Sequence, residues 1–249
     1  MGGLARRAAL IASKKKDTEA ETVRLFLAGP YELQDIDENK SPAVKAPKIT
    51  GQAFESLGYD AMMLTPEDAS VLGADMPEAL KAWVTPPGKV TSKIIERKNL
   101  RIGLVYFPVL ATPETPPTDA DMNAVRKEAL NLRPNVDVII GVSPWGIQAE
   151  QAFLKKFKEV QQPLDVLLGG GHGSGNRGKL EADSTTAWVR PFSKGKSVSV
   201  VRLENISNRH AESYVKHESD VRFDLVVLDD KAPIDPAMDN LLAPARSGN

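Results

Sequence analysis

The sequence predicts an α/β protein whose functional groups lie on loops that follow strands. Short apolar runs typical of strands alternate with segments of helical periodicity over most of the chain. Several of these apolar runs end in glycine or proline, which favours a loop directly after the strand. In layered α/β folds the loops at the carboxyl ends of parallel strands meet along one rim, so we expect any site to lie there.

Composition excludes several classes of protein and of site. The 249 residues are 41% hydrophobic and 26% charged, which is typical of a globular chain with a sizeable core. The balance of 32 basic and 33 acidic residues gives no general attraction to nucleic acid, and no apolar run approaches the roughly 20 residues of a membrane span. The absence of cysteine excludes disulfides and thiolate sites. A metal or triad site would therefore depend on His172, His210 and His217.

The first part of the chain is predicted to contain helices and two short strands. In order, the predicted elements are a helix from about Leu4, a strand over 23–28, a helix over 47–57 and a strand over 60–64. Thr65 and Pro66 then have the residue types preferred at the N-cap and first position of a helix. The adjacent Glu67 and Asp68 could form an acid/base pair, but the helix dipole alone favours acidic residues there.

The middle of the chain alternates strands with helices. The predicted elements are strands over 93–97 and 101–106, a helix over 118–132, a strand over 136–142, a helix over 147–160 and a strand over 164–168. Beyond Thr185 the apolar segments have no helical period, which predicts strands of a second sheet over 187–189, 197–203 and 223–228. Since no polar linker divides these elements, we expect one domain over 1–242 and a frayed tail over 243–249.

A glycine-rich loop after the strand at 164–168 nearly fits the phosphate-binding P-loop pattern. Residues 173–179 have the required glycines and lysine, but Leu180 replaces the hydroxyl residue that holds magnesium, and no helical pattern follows. A flexible turn is the favoured interpretation. Two alternatives stay open: a weak anion nest of backbone N–H groups beside Arg177 and Lys179, and a nucleotide-binding switch.

Five segments, in their order along the chain, resemble a known family. They are 2–8 (GGLARRA), 28–30 (AGP), 58–61 (GYDA), 138–146 (VIIGVSPWG) and 165–172 (DVLLGGGH). Together they resemble the catalytic domain of the 5′-nucleotidase-type metallophosphoesterases, which are calcineurin-like phosphoesterases. The resemblance extends from Gly2 to about Leu203, and 223–242 are similar to the segment that closes the domain. It implies a four-layer α/β/β/α sandwich with a two-metal site on the strand-end loops.

Most metal ligands implied by the resemblance are absent from this sequence. The family's first strand carries an Asp-x-His pair ahead of the segment matched by 2–8, so the chain lacks this strand as it stands. Pro30 replaces a bridging aspartate, 64–67 lack the asparagine and histidine of the next motif, and Pro144 replaces a histidine. Of the closing Gly-His-x-His motif, His172 remains and Ser174 replaces the second histidine. One histidine with distant carboxylates cannot fix a pair of metal ions.

We therefore expect a degenerate phosphoesterase-like domain without hydrolytic activity, metal ion or cofactor, which acts as a binding or assembly module. A protein partner would contact an exposed sheet edge or the strand-end loops. The alternative is an active metal-dependent phosphoesterase with a manganese, zinc or cobalt pair, whose first strand lies upstream or comes from a partner. The resemblance also implies an exported protein, although the basic, apolar N-terminus is not a convincing signal peptide.

Four residues are candidates for ligand binding: Trp145, His172, Arg177 and Lys179. Trp145 would be an anchor for a ligand ring or a partner if its ring is exposed, and packing over the neighbouring loop is an equal alternative. His172 is the only candidate for a residual catalytic role, whereas a solvated side chain is the ordinary expectation for a lone loop histidine. His210 and His217 are expected at the surface.

Overall fold

A computed structural model describes residues 3–17, 22–33, 46–112, 115–158, 163–181, 185–192, 195–204, 206 and 220–247. These residues form a mixed α/β structure. They divide into two compact units, which take their members from residues 1–84, 192–198 and 226–249 (unit 1) and from residues 85–191 and 199–225 (unit 2). His210 and His217 lie outside the described residues.

The described chain contains seven α-helices and ten strands. The helices are α1 (Leu4–Lys16), α2 (Pro47–Ser56), α3 (Pro66–Leu72), α4 (Glu78–Lys81), α5 (Asp119–Leu132), α6 (Ile147–Lys156) and α7 (Pro236–Ser247). The strands are β1 (Leu27–Ala28), β2 (Ala61–Met62), β3 (Thr91–Arg97), β4 (Leu100–Tyr106), β5 (Val138–Ser143), β6 (Val166–Gly169), β7 (Asn176–Glu181), β8 (Thr186–Arg190), β9 (Ser197–Leu203) and β10 (Val221–Val227). None of the described helices has the length and apolar character needed to cross a membrane.

Unit 1 is organised around a short parallel pair of strands, β1 and β2. Both strands are shorter than the apolar runs predicted. Apolar side chains of α1, α2, α3 and α7 form its core, including Ile11, Phe54, Leu72 and Met238. Helix α7 continues to Ser247, so the part of the predicted frayed tail over 243–247 is helical.

Unit 2 contains a six-stranded mixed sheet in the order β3-β4-β5-β6-β8-β7. Strands β4, β5, β6 and β8 are parallel, and the edge strands β3 and β7 are antiparallel to their neighbours. Helices α5 and α6 pack their apolar side chains against one face, where Phe107, Trp145, Phe153 and Phe157 form an aromatic cluster. Every residue of β5 is buried, as the continuous apolar run of a strand covered on both faces predicts.

The sequence predicted that the strands after Thr185 all belong to a second sheet, and this prediction is wrong for β8. Strand β8 lies inside the six-stranded sheet, between β6 and β7. Only β9 and β10 form a separate two-stranded sheet. Apolar alternation does not indicate which strand a segment pairs with, so β8 could not be assigned to a sheet from its sequence.

Candidate functional site

Two loops of unit 2 meet at the carboxyl ends of neighbouring parallel strands. Ser143 at the end of β5 pairs with Gly169 at the end of β6. The loops that follow, 143–147 and 169–175, are called here the strand-end rim. They are joined by a hydrogen bond from the Ile147 N–H to the His172 carbonyl, 2.9 Å long. The expectation that these two loops meet at the carboxyl ends of the parallel strands is confirmed.

The side chain of Arg190 binds the backbone of the strand-end rim. Arg190 is the last residue of β8 and is only 2% exposed. Its Nη2 atom donates to the carbonyl oxygens of Gly171 and His172, each at 3.0 Å. Its Nε atom donates to the Ser174 carbonyl at 3.3 Å, and Nη1 lies 3.4 Å from the Trp145 carbonyl. One buried guanidinium therefore holds both loops through their backbones.

Glu150 on α6 is the counterion of this guanidinium. Its Oε2 atom lies 2.6 Å from Nη1 of Arg190 and also accepts from the indole N–H of Trp188 at 2.8 Å. Its Oε1 atom accepts from the Gly170 N–H at 3.1 Å. Burial raises the pKa of Glu150 to about 7, although Arg190, Trp188 and Gly170 all favour the charged form. The carboxylate is thus occupied by groups of the protein itself.

Sequence reasoning missed both members of this buried pair. Glu150 lies on the same face of α6 as Phe153 and Leu154, three and four residues further on, and all three are buried. A charged residue on the apolar face of a helix was the available signal. Arg190 gave a weaker signal, since it ends a buried strand directly before Pro191.

Trp145 is not the exposed anchor that the sequence allowed. Its side chain is 2% exposed and packs against Phe107, with ring centroids 4.7 Å apart, and against Phe153. The indole N–H donates to the carbonyl of Pro108 at 2.9 Å. Its role is therefore the alternative one, packing over a neighbouring loop, because a ring buried this deeply presents no face to a ligand.

The other three candidate residues do not converge on a common point in the described contacts. His172 is partly exposed, and its contribution to the loop contacts above is its carbonyl group. Arg177 is exposed on β7. Lys179 pairs with Glu181 at 2.5 Å and lies over the ring of Trp188, 4.8 Å from its centroid.

The geometry of the glycine-rich loop argues against a P-loop. A P-loop leads into a helix, whereas residues 176–181 form the strand β7. The carbonyls of Gly171 and His172 converge on Arg190. These two carbonyls lie before the 173–179 segment, so the anion-nest alternative stays a prediction.

A second buried carboxylate, Asp68, organises the strand-end loop of unit 1. It accepts hydrogen bonds from the backbone N–H groups of Tyr31 and Leu33, each at 3.1 Å, and from the N–H of Thr65 at 3.0 Å. Thr65 caps α3 in return, as its sequence predicted. Asp68 therefore joins the loop after β1, which contains Pro30, to the start of α3. The capping interpretation of Asp68 is supported, and all described partners of its carboxylate are donors.

Next to this loop, Arg7 of α1 forms a partly buried ion pair. Its Nη1 atom donates to Glu32 at 2.7 Å and to the hydroxyl of Tyr59 at 2.9 Å. Burial raises the pKa of Tyr59 to about 12. Burial lowers the pKa of Arg7, but the neighbouring Glu32 and Tyr59 side chains together outweigh burial, so the pKa of Arg7 is raised. Arg7, the second arginine of the GGLARRA segment, thus attaches α1 to two neighbouring loops.

The described residues do not fit the two-metal site that the resemblance implies. No group of three or more His, Asp or Glu side chains in this part of the chain is arranged to hold a metal ion. Asp68 and Glu150 are engaged by N–H donors and, for Glu150, by a guanidinium. Pro30 and Pro144 offer no side-chain ligand.

Asp68 predicts a pH dependence of stability. Burial raises its pKa in the folded chain to about 6, against an ordinary value of 3.8, while hydrogen bonds from Thr65, Leu33 and Tyr31 oppose the shift. The folded chain therefore binds the Asp68 proton more tightly than the unfolded chain does. The contribution of Asp68 to the free energy of unfolding is full below the unfolded pKa and is lost as pH rises through about 6, by up to about 3 kcal/mol.

The measurement is urea unfolding of the wild-type chain and of Asp68→Asn at a series of pH values between about 4 and about 7. The difference in free energy of unfolding between the two proteins is expected to shrink as pH rises. A difference that grows with pH would mean that the three N–H donors dominate and hold the pKa below its ordinary value.

Comparisons with known proteins place few constraints on this chain. No protein-family model and no curated protein matches it significantly. Among the solved structures that are similar is one described as "GAP50 the anchor in the inner membrane complex of Plasmodium". It is 12% identical, and the match covers 70% of this chain and 73% of that chain with a TM-score of 0.38. A likeness this distant carries no argument about function.

Proposed function

We propose that the chain is a degenerate metallophosphoesterase-like domain of the 5′-nucleotidase type, without hydrolytic activity, that serves as a binding or assembly module. The finer architecture proposed with it is a four-layer α/β/β/α sandwich. The support is the order of the five sequence segments, together with the mixed α/β structure in which two of them form adjoining strand-end loops.

The observation that carries the proposal is the use made of the buried carboxylates beside the strand-end loops. Hydrolysis by a metal pair requires carboxylate, amide and imidazole groups that face an open site together. Here Asp68 in unit 1 and Glu150 in unit 2 each bind the backbone of nearby loops. A carboxylate that accepts these backbone hydrogen bonds cannot also ligate a metal ion without releasing the loops.

A binding role is supported by the way the strand-end rim is held. Its loops are fixed to the protein by a buried ion pair and several backbone hydrogen bonds. A surface that is already ordered loses less conformational entropy on association than a flexible loop does. We propose the strand-end rim as the contact surface for a protein partner, in preference to the edge strand β3. The exposed residues of β3 include Lys93, Glu96 and Arg97, and charges on an edge strand oppose the addition of another strand.

The proposal is tested by assaying hydrolysis of p-nitrophenyl phosphate, bis-p-nitrophenyl phosphate and nucleoside monophosphates with manganese, zinc or cobalt added. We expect turnover at the background rate, with no difference between the wild-type chain and His172→Ala. His172 is the one described histidine and the single residue that matches a metal-ligand histidine of the family. Metal-dependent turnover well above background that His172→Ala abolishes would contradict the proposal and support the hydrolase alternative.

Metal analysis provides an independent measurement. Purified protein is dialysed against the same ions and its metal content determined, with calorimetric titration of each ion. We expect no stoichiometric tight binding. Two tightly bound ions per chain would contradict the proposal even if the substrates chosen for the assay were not hydrolysed. Export of the protein, implied by the resemblance alone, stays a prediction.

A further inference from the structure

Every N–H group of the Arg190 guanidinium has an acceptor in the described structure. A guanidinium has five N–H donors. The acceptors are the Glu150 carboxylate and the carbonyl oxygens of Trp145, Gly171, His172 and Ser174. Since Arg190 is almost wholly buried, this cage of oxygens replaces the water that would otherwise solvate the cation. The cage is therefore matched to Arg190 in both charge and hydrogen-bonding geometry.

The glycine-rich loop consists mostly of residues without a side chain. Five of the seven residues in 169–175 are glycine, which loses the most conformational freedom on ordering. Glycine also provides no side chain to pack into a core. The described contacts that hold this loop include the carbonyl groups bound by Arg190, the Gly170 N–H bound by Glu150 and the His172 carbonyl bound by Ile147.

The geometry points to Arg190 as a positioning residue: an internal cation that sets the shape of the strand-end rim, occupying an oxygen cage selective for guanidinium ions. This inference does not depend on the proposed function, because it concerns the order of the loops and not what they bind. It implies that removing the side chain disorders the loops, and that free guanidinium in the cage restores them.

The test is the Arg190→Ala variant, studied by amide hydrogen exchange with and without millimolar guanidinium. Without the ion, we expect exchange of the Gly170 and Ile147 amides to be at least about 10-fold faster than in the wild-type chain. Guanidinium should return most of this protection and raise the melting temperature of the variant. Urea at the same concentration is the matched control, because it has a similar planar shape but no charge. We expect urea to have no effect.

Arg133→Ala is the matched control variant. Among the described residues of unit 2, Arg133 is the other buried arginine. It pairs with Asp165 at 2.9 Å, at the opposite end of β6 from the loop. We expect this variant to be less stable overall, while guanidinium leaves exchange at the strand-end rim unchanged. Arg190→Lys keeps the charge but has only three donors, so partial protection of the loop is expected.

Three outcomes would overturn the inference. These are wild-type protection of the loop amides in Arg190→Ala, equal effects of guanidinium and urea, and the same guanidinium-dependent recovery in Arg133→Ala. If Arg190→Ala is unfolded on its own, circular dichroism replaces exchange as the measurement. Folding induced by guanidinium and not by urea would then support the inference, and its absence would count against it.

Discussion

Replacement of Glu150 by alanine is expected to lower the free energy of unfolding by about 3 to 5 kcal/mol. The change leaves the guanidinium of Arg190 buried without its counterion, and it also removes the acceptor of the Trp188 indole N–H and the Gly170 N–H. A buried charge without a partner keeps its full desolvation penalty. The measurement is urea unfolding above the Glu150 pKa of about 7, where the carboxylate of the wild-type chain is ionised.

The control for this prediction is Glu78→Ala. Glu78 forms an ion pair with Lys81 at 2.7 Å, almost the same distance as the Glu150–Arg190 pair, but the Glu78 side chain is 86% exposed. An exposed pair typically contributes at most about 1 kcal/mol, so this variant should unfold nearly as the wild-type chain does. Equal losses of stability in the two variants would show that burial is not the source of the effect.

Replacement of Gly171 by alanine is expected to cost about 2 to 5 kcal/mol, from left-handed backbone strain and from overpacking together. Gly171 has a φ of +66°, a conformation that residues with a Cβ rarely adopt. A methyl group there would overlap the carbonyl oxygen of Pro144 and lie 3.0 Å from the carbonyl carbon of Trp145. These are backbone atoms of the adjoining loop, so relief requires the two loops of the strand-end rim to separate.

Gly88→Ala separates the two contributions. Gly88 has nearly the same φ, +65°, and a Cβ at this position would have no atom within 4 Å. Its cost is therefore expected to be the backbone strain alone, about 1 to 2 kcal/mol. Thermal and urea unfolding of both variants gives the comparison. If Gly88→Ala were as destabilising as Gly171→Ala, the close approach of the two loops would make no energetic contribution.

Local sequence signals predicted much of the secondary structure. Thr65 was expected to cap a helix and does so in a capping box with Asp68, and Thr118 begins α5 in the same way. The strands predicted over 93–97 and 101–106 correspond to β3 and β4, and the turn that joins them has Lys98 at a φ of +52°. Such signals succeed because capping, turn chemistry and apolar periodicity depend on residues only a few positions apart.

Burial at the site was harder to predict than secondary structure. Trp145 follows a proline and precedes a glycine, a pattern equally typical of an exposed loop tip and of a packed one. Its burial depends on Phe107 and on the carbonyl of Pro108, which lies 37 residues away in the chain. Contacts over that distance leave no periodic pattern in one sequence.

By itself, the sequence determined the α/β class and the positions of the two loops that follow β5 and β6. Only the tertiary structure decided that β8 lies beside β6. This pairing brings Arg190 within hydrogen-bonding distance of the carbonyl of Trp145, which is 45 residues away in the chain. Residue types and their local spacing are properties of the chain alone. The environment of a buried charge is set by which strands are neighbours, and long-range packing selects that order.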